Sequence, residues 1–378
     1  MQSKIPLCKH CVNRIRSRGL LKVEVVEPPA CFICMGIIDK LYELIDEAVS
    51  KLSEIEYSKL KAATRIPSDI VEREDTIRSL YNAEIYPPIK MYVNKLLDKE
   101  LSTRTNCSIS STAPDIIVLF DLPLWTVTLQ VNPLFISGRY LKLARNISQA
   151  TWYCKRCKGE GCSRCNWTGY TYPYSIEMLI SQPILELTGG IRAVFHASGR
   201  EDVDALTLGA GRPFIVEVLQ PRRRRINLRE LEAEINKRAE GLVEVRNLSF
   251  ALSSSVRRMK QAEAKAPKTY RVIVRSEDKP LTEEDVRKAE AELSDKLIHQ
   301  WTPRRVLHRR ANKLRRRRVY SCKGMLLSSE RMLLWVKCEG GLYIRELISG
   351  DDGRTFPSLS SLLSKKVICE LLDVAGVE

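Results

Sequence analysis

Eight of the twelve cysteines in this 378-residue chain occur as C-x-x-C pairs, and their spacing restricts the fold more than any other feature. Cys8 and Cys11 form one pair and Cys31 and Cys34 the next, with 19 residues between the pairs. Two short turns that each present two thiolates can close a tetrahedron around one zinc ion, which leaves no position for water. The sequence therefore predicts a structural zinc site, and four unrelated buried cysteines are the alternative.

A second group of cysteines lies in CKRCKGEGCSRC at 154–165, where only four residues separate the two pairs. The spacing typical of ferredoxins is absent, which argues against an iron–sulfur cluster. We expect a second metal site, with a redox-active or inert set of cysteines as the alternative because the loop is unusually short. Its ligands would be Cys154, Cys157, Cys162 and Cys165.

The chain is strongly basic, with 62 Lys and Arg against 46 Asp and Glu and a formal net charge of +16. Such an excess produces a long-range positive field that attracts polyanions, so nucleic acid is the expected partner. A basic proteome or binding to a membrane surface would also explain the charge, but no basic amphipathic anchor helix stands out. The hydrophobic fraction of 44% suits a globular protein of two or three domains.

The N-terminal residues and the length of the apolar runs indicate in which cellular compartment the protein is expected. No charged leader with an apolar stretch and a cleavage site opens the sequence, and apolar runs such as 116–120 are far too short to span a bilayer. We therefore expect a soluble cytoplasmic protein with no membrane partner. Cysteines spaced for metal binding rather than for disulfides agree with that location.

Hydrophobic periodicity predicts α/β structure in the first third of the chain. Apolar residues recur at helical spacing over 37–55, a further helical stretch covers 74–100, and two β-rich runs fall within 114–133. Farther along, Thr282 is followed three residues later by Asp285, a capping signal that predicts the start of a helix.

Arginine is concentrated in two segments, 221–226 and 302–320. A charge run is usually a solvated face, but apolar residues such as Val306 and Leu314 interrupt the second segment. One side of such a segment can pack on the protein while its arginines bind phosphates, so we expect contact with RNA or DNA there. The candidate residues are Arg304, Arg305, Arg309 and Arg310.

Motifs for nucleotide cofactors are missing from the sequence. Gly209-Ala210-Gly211 is an isolated G-x-G followed by Arg212-Pro213, a poor start for a Rossmann helix, and no P-loop occurs. The four histidines are scattered, and no Ser-His-Asp set is legible. The remaining candidate for chemistry is a carboxylate, Asp202, in the charged segment GREDVD at 199–204; a solvated loop is the alternative.

Several segments, taken in order, resemble the tRNA pseudouridine synthases of archaeal and eukaryotic type that act on the TΨC arm, the Pus-ten family. They are GREDVD at 199–204, LGAGRPF at 208–214, KTYRVIV at 268–274, TPRRVLHRR at 302–310 and YIRELISGDDGRTFPS at 343–358. The N-terminal C-x-x-C pairs and NPLFISGRYLKLAR at 132–145 resemble the zinc-bearing, THUMP-like accessory domain of that family. The resemblance covers nearly the whole chain.

The resemblance implies an α+β protein of two domains. Residues 1–168 would form a zinc-containing, THUMP-like α/β domain that binds RNA. Residues 169–378 would form the pseudouridine synthase domain, with a mixed, largely antiparallel sheet flanked by helices. The protein would isomerise uridine 54, uridine 55 or both in tRNA, without a nucleotide or redox cofactor and with no obligatory protein partner evident.

Carried over by position, the resemblance makes Asp202 the catalytic aspartate. The substrate-binding residues would be Arg200, Tyr270, Ile344, Arg345 and Leu372. Among these, Tyr270 would stack on the target base, and Arg345 would oppose the charge of Asp202.

Isomerisation breaks the N1–C1′ bond and joins C5 to C1′, so the nucleotide must be flipped out of its helix. Asp202 would act as an ionised nucleophile or base, while Glu201 and Asp204 in an extended loop would point away from it. Two other functions stay open. One is a non-catalytic RNA-binding or assembly factor with the same fold, and the other is a different THUMP-bearing tRNA modifier such as a methyltransferase.

Overall fold

The computed structural model describes residues 4–263 and 266–377, which form two compact units. Unit 1 contains the described residues up to Leu134 together with 188–192 and 218–226, and unit 2 contains the others. The expected division after residue 168 differs from this arrangement. Residues 135–168 belong to unit 2, because the strand that starts at Leu134 enters the large sheet of that unit.

Unit 1 is built on a four-stranded sheet with helices. Its elements in chain order are β1 (Ile5–Leu7), α1 (Lys9–Val12), β2 (Ile15–Ser17), β3 (Val23–Val25), α2 (Ile37–Leu52), β4 (Lys59–Arg65), α3 (Ser68–Tyr81), β5 (Glu84–Ile85), α4 (Ile89–Thr105), β6 (Ser108–Ile109), β7 (Ile116–Asp121) and β8 (Thr126–Val131). The sheet has the order β6-β4-β7-β8, in which β4 pairs parallel with β6 and β7, and β8 pairs antiparallel with β7. Two further pairs are β1 with β3 and β2 with β5.

The sequence predicted most of these elements. The amphipathic helix predicted over 37–55 is α2, and β7 and β8 are the two runs predicted within 114–133. The single helical stretch predicted over 74–100 is wrong, because α3 ends at Tyr81 and α4 begins at Ile89. Asn82 takes a left-handed conformation with φ of 49° and two prolines follow before Ile89, so the backbone cannot continue as one helix.

Unit 2 is built on a ten-stranded sheet. Its elements are β9 (Leu134–Lys142), α5 (Ile176–Thr188), β10 (Arg192–Ala197), β11 (Thr207–Leu219), α6 (Leu228–Arg238), β12 (Val243–Ala251), α7 (Ser253–Glu263), β13 (Lys268–Ser276), α8 (Glu283–Leu293), β14 (Lys296–Trp301), β15 (Leu314–Leu326), β16 (Arg331–Cys338), α9 (Ile344–Ser349), β17 (Thr355–Phe356), α10 (Leu359–Leu363) and β18 (Val367–Val377). The order is β12-β9-β11-β18-β13-β16-β15-β14-β17, with β10 paired to β11. The pair β11 and β18 is parallel, while β18 pairs antiparallel with β13, so the sheet is mixed as predicted.

The stretch 132–145, expected in the accessory domain, lies mostly in this sheet, and that expectation is wrong. Strand β9 pairs antiparallel with β12, where Tyr140 lies opposite Val245. Tyr140 and Lys142 are both buried within unit 2. The segment therefore belongs to the same unit as Asp202.

The hydrophobic core of unit 2 lies between its large sheet and the helices that pack on it. Residues of β13, β16, α8 and α9 form one continuous apolar cluster that includes Val272, Leu334, Ala289 and Leu347. Helix α8 begins after Thr282, whose hydroxyl accepts a hydrogen bond from the backbone of Asp285, so the predicted capping signal is confirmed. Within the described ranges, no helix has both the length and the apolar character needed to cross a membrane.

Candidate active site and cysteine sites

Asp202 lies on the connection between β10 and β11, beside a pocket of about 740 Å³. The backbone N–H of Ala205 donates to the carbonyl of Asp202 at 3.0 Å, which closes a tight turn. The Asp202 side chain is 40% exposed, so a substrate can reach its carboxylate. We call residues 198–206 the aspartate loop.

Two guanidinium groups face the Asp202 carboxylate. Arg345 Nε lies 3.6 Å and Arg305 Nη1 3.7 Å from Asp202 Oδ2. Arg345 stands at the start of α9, whose apolar residues Ile344 and Leu347 are buried and fix the helix on the core. The two arginines therefore place positive charge beside an accessible carboxylate, the kind of group that can act as a nucleophile or base.

The two acidic neighbours of Asp202 behave differently from each other. Glu201 is buried, and its carboxylate pairs with Arg212. Asp204, however, accepts a hydrogen bond from Arg345 Nη2 at 2.7 Å, so it converges on the arginine that also faces Asp202. The expectation that Asp204 points away assumed an extended loop, and residues 203 and 204 form a turn instead.

The pocket is lined by most of the residues that the resemblance selected. Leu372 lies opposite Val272 in the pairing of β18 with β13, so Leu372 and Tyr270 share one face of the sheet. The predicted residues among its walls are Arg200, Asp202, Tyr270, Arg305, Arg309, Arg310, Ile344 and Leu372. Arg345 touches Asp202 directly, whereas Arg304 lies outside the lining and pairs with Asp352 at 2.5 Å.

Tyr343 is a lining residue that the sequence reasoning missed. The guanidinium groups of Arg305 and Arg315 each lie 5.9 Å from the centre of its ring. Its only sequence signal is its position directly before the selected pair of residues at the start of α9. The pocket thus offers two tyrosine rings within a strongly cationic wall, a combination suited to a base and its phosphates.

A buried hydrogen-bond network holds the aspartate loop from below. Glu201 forms an ion pair with Arg212 at 2.9 Å, and both side chains are at most 2% exposed. The hydroxyl of Tyr140 donates to the same carboxylate at 3.0 Å, and Gln149 Nε2 donates to the carbonyl of Gly199 at 2.8 Å. Glu201 is therefore a buried anchor of the loop, which leaves Asp202 as the accessible carboxylate beside it.

Lys142 is a second anchor of the loop that the sequence did not reveal. It is fully buried on β9, and its Nζ donates to the backbone carbonyls of Asp202 at 3.2 Å and Val203 at 2.6 Å. Burial lowers the pKa of Lys142 to about 8, although the nearby carboxylates of Glu201 and Asp204 oppose that shift. Lys142 is the last residue of a strand that also contains Arg139, so nothing in the sequence distinguishes it from other basic residues.

The lowered pKa predicts a pH-dependent stability. An unfolded lysine titrates near pH 10.4, so between about pH 8 and pH 10 the unfolded chain holds more protons than the folded one. The free energy of unfolding should therefore rise with pH across this window, by about 1 to 2 kcal/mol from this one group. Urea titrations of the wild type and Lys142→Met at pH 8 and pH 10 measure the difference. An equal pH response of both proteins would contradict the assignment.

Strand β18 ties the loop from the other side. Asp373 is 2% exposed, and its carboxylate accepts from the backbone N–H of Leu206 at 3.1 Å. Arg145 and Arg271 pair with it at 2.8 and 2.9 Å. Burial would raise the pKa of Asp373, but the hydrogen bonds from the two arginines outweigh it and lower the pKa. Asp373 therefore stays ionised and fixes the end of the loop.

The first cysteine group has the geometry of a closed metal site. Cys8, Cys11, Cys31 and Cys34 are all buried, and their four sulfur atoms lie within 4.8 Å of one another. The Cys8 and Cys34 sulfurs are 3.5 Å apart. A zinc ion with Zn–S bonds of about 2.3 Å places tetrahedral sulfur ligands about 3.8 Å apart, so this group fits structural zinc.

The second cysteine group fits the same geometry. The sulfur of Cys162 lies 3.9 Å from that of Cys154 and 3.8 Å from that of Cys165. The backbone N–H groups of Gly161 and Gly169 point at sulfurs of the group at 3.2 and 3.3 Å, as they do at thiolate ligands. The short connection between the pairs therefore does not prevent four sulfurs from converging.

Comparison with known proteins agrees with both units. The family model described as "Pus10, C-terminal" matches residues 135–378, and "Pus10 THUMP domain, archaeal" matches residues 44–121. A Korarchaeum cryptofilum protein is 40% identical over 95% of this chain and 96% of its own length, and a Methanocaldococcus jannaschii protein is 42% identical over 98% and 79%. A Methanothermobacter marburgensis protein is 41% identical over 98% and 95%. All three are named tRNA pseudouridine synthase Pus10, and at this level of identity over nearly the whole length, the chain belongs to the Pus10 family.

Proposed function

We propose that this protein isomerises uridine to pseudouridine in tRNA, at position 54, position 55 or both in the TΨC arm. The observation that carries the proposal is the accessible carboxylate of Asp202, faced by Arg345 and Arg305 in a pocket with tyrosine walls. The names of the curated relatives support the same reaction on tRNA. A cytoplasmic location belongs to the proposal, since tRNA is the substrate.

The pocket suits a flipped uridine. Extruding a nucleotide costs a few kcal/mol, and stacking of the base on Tyr270 and phosphate contacts with arginines offset that cost. Asp202 acts as the nucleophile or base while the N1–C1′ bond breaks, the uracil turns and a C5–C1′ bond forms. The proton leaves C5 and N1 gains one, so the reaction is a balanced isomerisation that consumes no oxidant or reductant.

The metal sites have no step in this reaction. Zinc at the two cysteine groups would stabilise the local folds, because four protein ligands leave no open coordination position for water or substrate. The Asp202 carboxylate would then carry out the reaction, while the surrounding arginines neutralise its charge and bind the phosphates of the tRNA.

Arg309 and Arg310 are proposed to bind tRNA phosphates, since both line the pocket and follow the short helix at Arg304–Val306. Replacing both with Ala should weaken tRNA binding and flatten the plot of log Kd against log salt by about one to two units. Binding titrations between about 50 and 200 mM salt measure the slope. Arg238→Ala is the matched control, because Arg238 pairs with Glu186 and Glu234 on another surface. Equal slopes for the double variant and the wild type would show that Arg309 and Arg310 form a solvated face that does not bind phosphates.

Turnover on tRNA tests the function itself. Purified protein is incubated with unmodified tRNA transcript, and pseudouridine is mapped at each position. Pseudouridine at 54 or 55 supports the proposal, and tight binding without any pseudouridine favours the non-catalytic alternative. Calorimetry with S-adenosylmethionine tests the methyltransferase alternative, and we expect no binding heat.

A further inference from the structure

The second cysteine group lies in a hairpin formed by residues 152–171, which we call the cysteine loop. The two ends of the loop are joined by hydrogen bonds from Cys154 N to Gly169 O at 2.8 Å and from Thr171 N to Trp152 O at 2.7 Å. Tyr153 and Tyr170 form a β-bridge between these bonds, with ring centres 5.7 Å apart. The loop is therefore a built element rather than a loose connection.

Large aromatic side chains project from this loop into solvent. Trp167 is 76% exposed and Tyr153 is 61% exposed, although such rings usually bury most of their surface. Trp167 also has a φ of 63°, a backbone conformation that is uncommon and costly for a bulky residue. Its backbone N–H donates to the carbonyl of Cys162 at 2.9 Å, so the surrounding loop holds the backbone in this conformation.

Basic side chains surround the exposed rings. Lys155, Arg156, Lys158 and Arg164 are all exposed on the loop, with Glu160 as its acidic residue. Rings beside Lys and Arg are the combination with which proteins bind single-stranded RNA, because bases stack on the rings and phosphates pair with the cations. An apolar protein partner would not require this excess of positive charge.

The loop is continuous with the pocket of Asp202. Trp152, at the base of the loop, lines that pocket, and the guanidinium of Arg200 lies 5.2 Å from the centre of its ring. Arg200 is in the aspartate loop, two residues before Asp202. Trp152 and Arg200 therefore connect the base of the cysteine loop to the pocket.

We propose that the cysteine loop is a second RNA-binding site, which stacks unpaired nucleotides on Trp167 and Tyr153 while its basic residues bind their phosphates. The inference rests on the proposed function, since the RNA would be the strand that carries the target uridine. Double-stranded RNA keeps its bases stacked in the helix, so this site discriminates for unpaired nucleotides.

The test measures binding of the full-length protein to a fluorescently labelled oligouridylate of about ten nucleotides, a length within the usual footprint of single-strand binders. Trp167→Asn removes the ring and suits the left-handed backbone, because Asn tolerates that conformation. We expect it to weaken oligouridylate binding about tenfold, the effect of one lost stacked base, with binding of an RNA duplex nearly unchanged. Trp167→Phe keeps a ring and should retain most of the affinity.

Trp335→Ala is the matched control, because Trp335 is a comparably sized ring that is 37% exposed on β16 and does not line the pocket. Metal content per chain reports whether the cysteine loop is intact in each variant. Wild-type oligouridylate affinity in Trp167→Asn with full metal content would overturn the proposal. If that variant loses metal, Tyr153→Leu decides by the same criterion.

Binding is measured without turnover, so this result is separable from the proposed reaction. If the protein makes no pseudouridine but needs Trp167 for oligouridylate binding, the result contradicts the proposed function and not this inference. If the protein modifies tRNA and binds oligouridylate equally well without the Trp167 ring, the result contradicts this inference and not the proposed function.

Discussion

Asp202→Asn is expected to abolish pseudouridine formation, with a fall in turnover of at least about 10⁴-fold, the scale seen when a nucleophile is removed. The amide keeps the size of the side chain but has no charge and cannot attack the ribose or the base. The affinity for tRNA should stay within a few-fold, because phosphate contacts elsewhere supply the binding. Single-turnover assays and binding titrations on the same transcript separate the two quantities.

Asp204→Asn is the matched control for that variant, because both carboxylates lie close to Arg345. When Asp204 loses its charge, Arg345 can still pair with Asp202, so measurable turnover should remain. Near wild-type turnover of Asp202→Asn would show that Asp202 is not the nucleophile. Loss of turnover in Asp204→Asn together with an active Asp202→Asn would show the same.

Cys11→Ser in the full-length chain should release zinc from the first cysteine group and unfold the elements around it. The binding free energy of a structural zinc ion, about 10–16 kcal/mol in small zinc-binding peptides, is as large as the stability of a typical domain. The four cysteines are part of the buried core of unit 1, so the ion and the core depend on each other. Metal analysis should show about one zinc fewer per chain.

Hydrogen exchange measured by mass spectrometry locates the damage. Peptides from α2 and β4 should exchange faster in Cys11→Ser, while those from β13 and β16 keep their protection. Cys107→Ser is the control, because Cys107 belongs to neither cysteine group and should leave the zinc content unchanged. Full zinc content in Cys11→Ser would contradict the predicted site. The same substitution at Cys154 tests the second group, whose loss should leave α2 protected.

Features set by local spacing could be predicted from the sequence. The C-x-x-C pairs determine which sulfurs converge, and alternating or helical apolar patterns determine the strands β7 and β8 and the helix α2. The break between α3 and α4 was missed, because the apolar pattern continues across Asn82 and the prolines that interrupt it. In that segment, backbone chemistry outweighs periodicity.

Features set by contacts between distant segments could not be predicted in this way. Lys142 supports Asp202 from β9, and Asp373 supports the same loop from β18, yet neither pattern nor resemblance assigned a role to either residue. Arg345 was selected through the resemblance, but its hydrogen bond with Asp204 depends on a turn that the charge pattern does not encode. The family motifs thus select the proposed reacting groups, while the groups that hold them emerge only from the three-dimensional pairing of strands.

The central position of β18 has a consequence for biosynthesis. This strand joins β12, β9 and β11 on one side to β13 and the strands beyond it on the other, although it is made after all of them. During translation the two half-sheets can form separately, but Asp202 follows β10 in one half and Tyr270 lies in the other. The strand that connects the two sides of the pocket is therefore missing until β18 has left the ribosome, and a nascent chain that stalls before residue 367 would carry the basic surface without the complete proposed site.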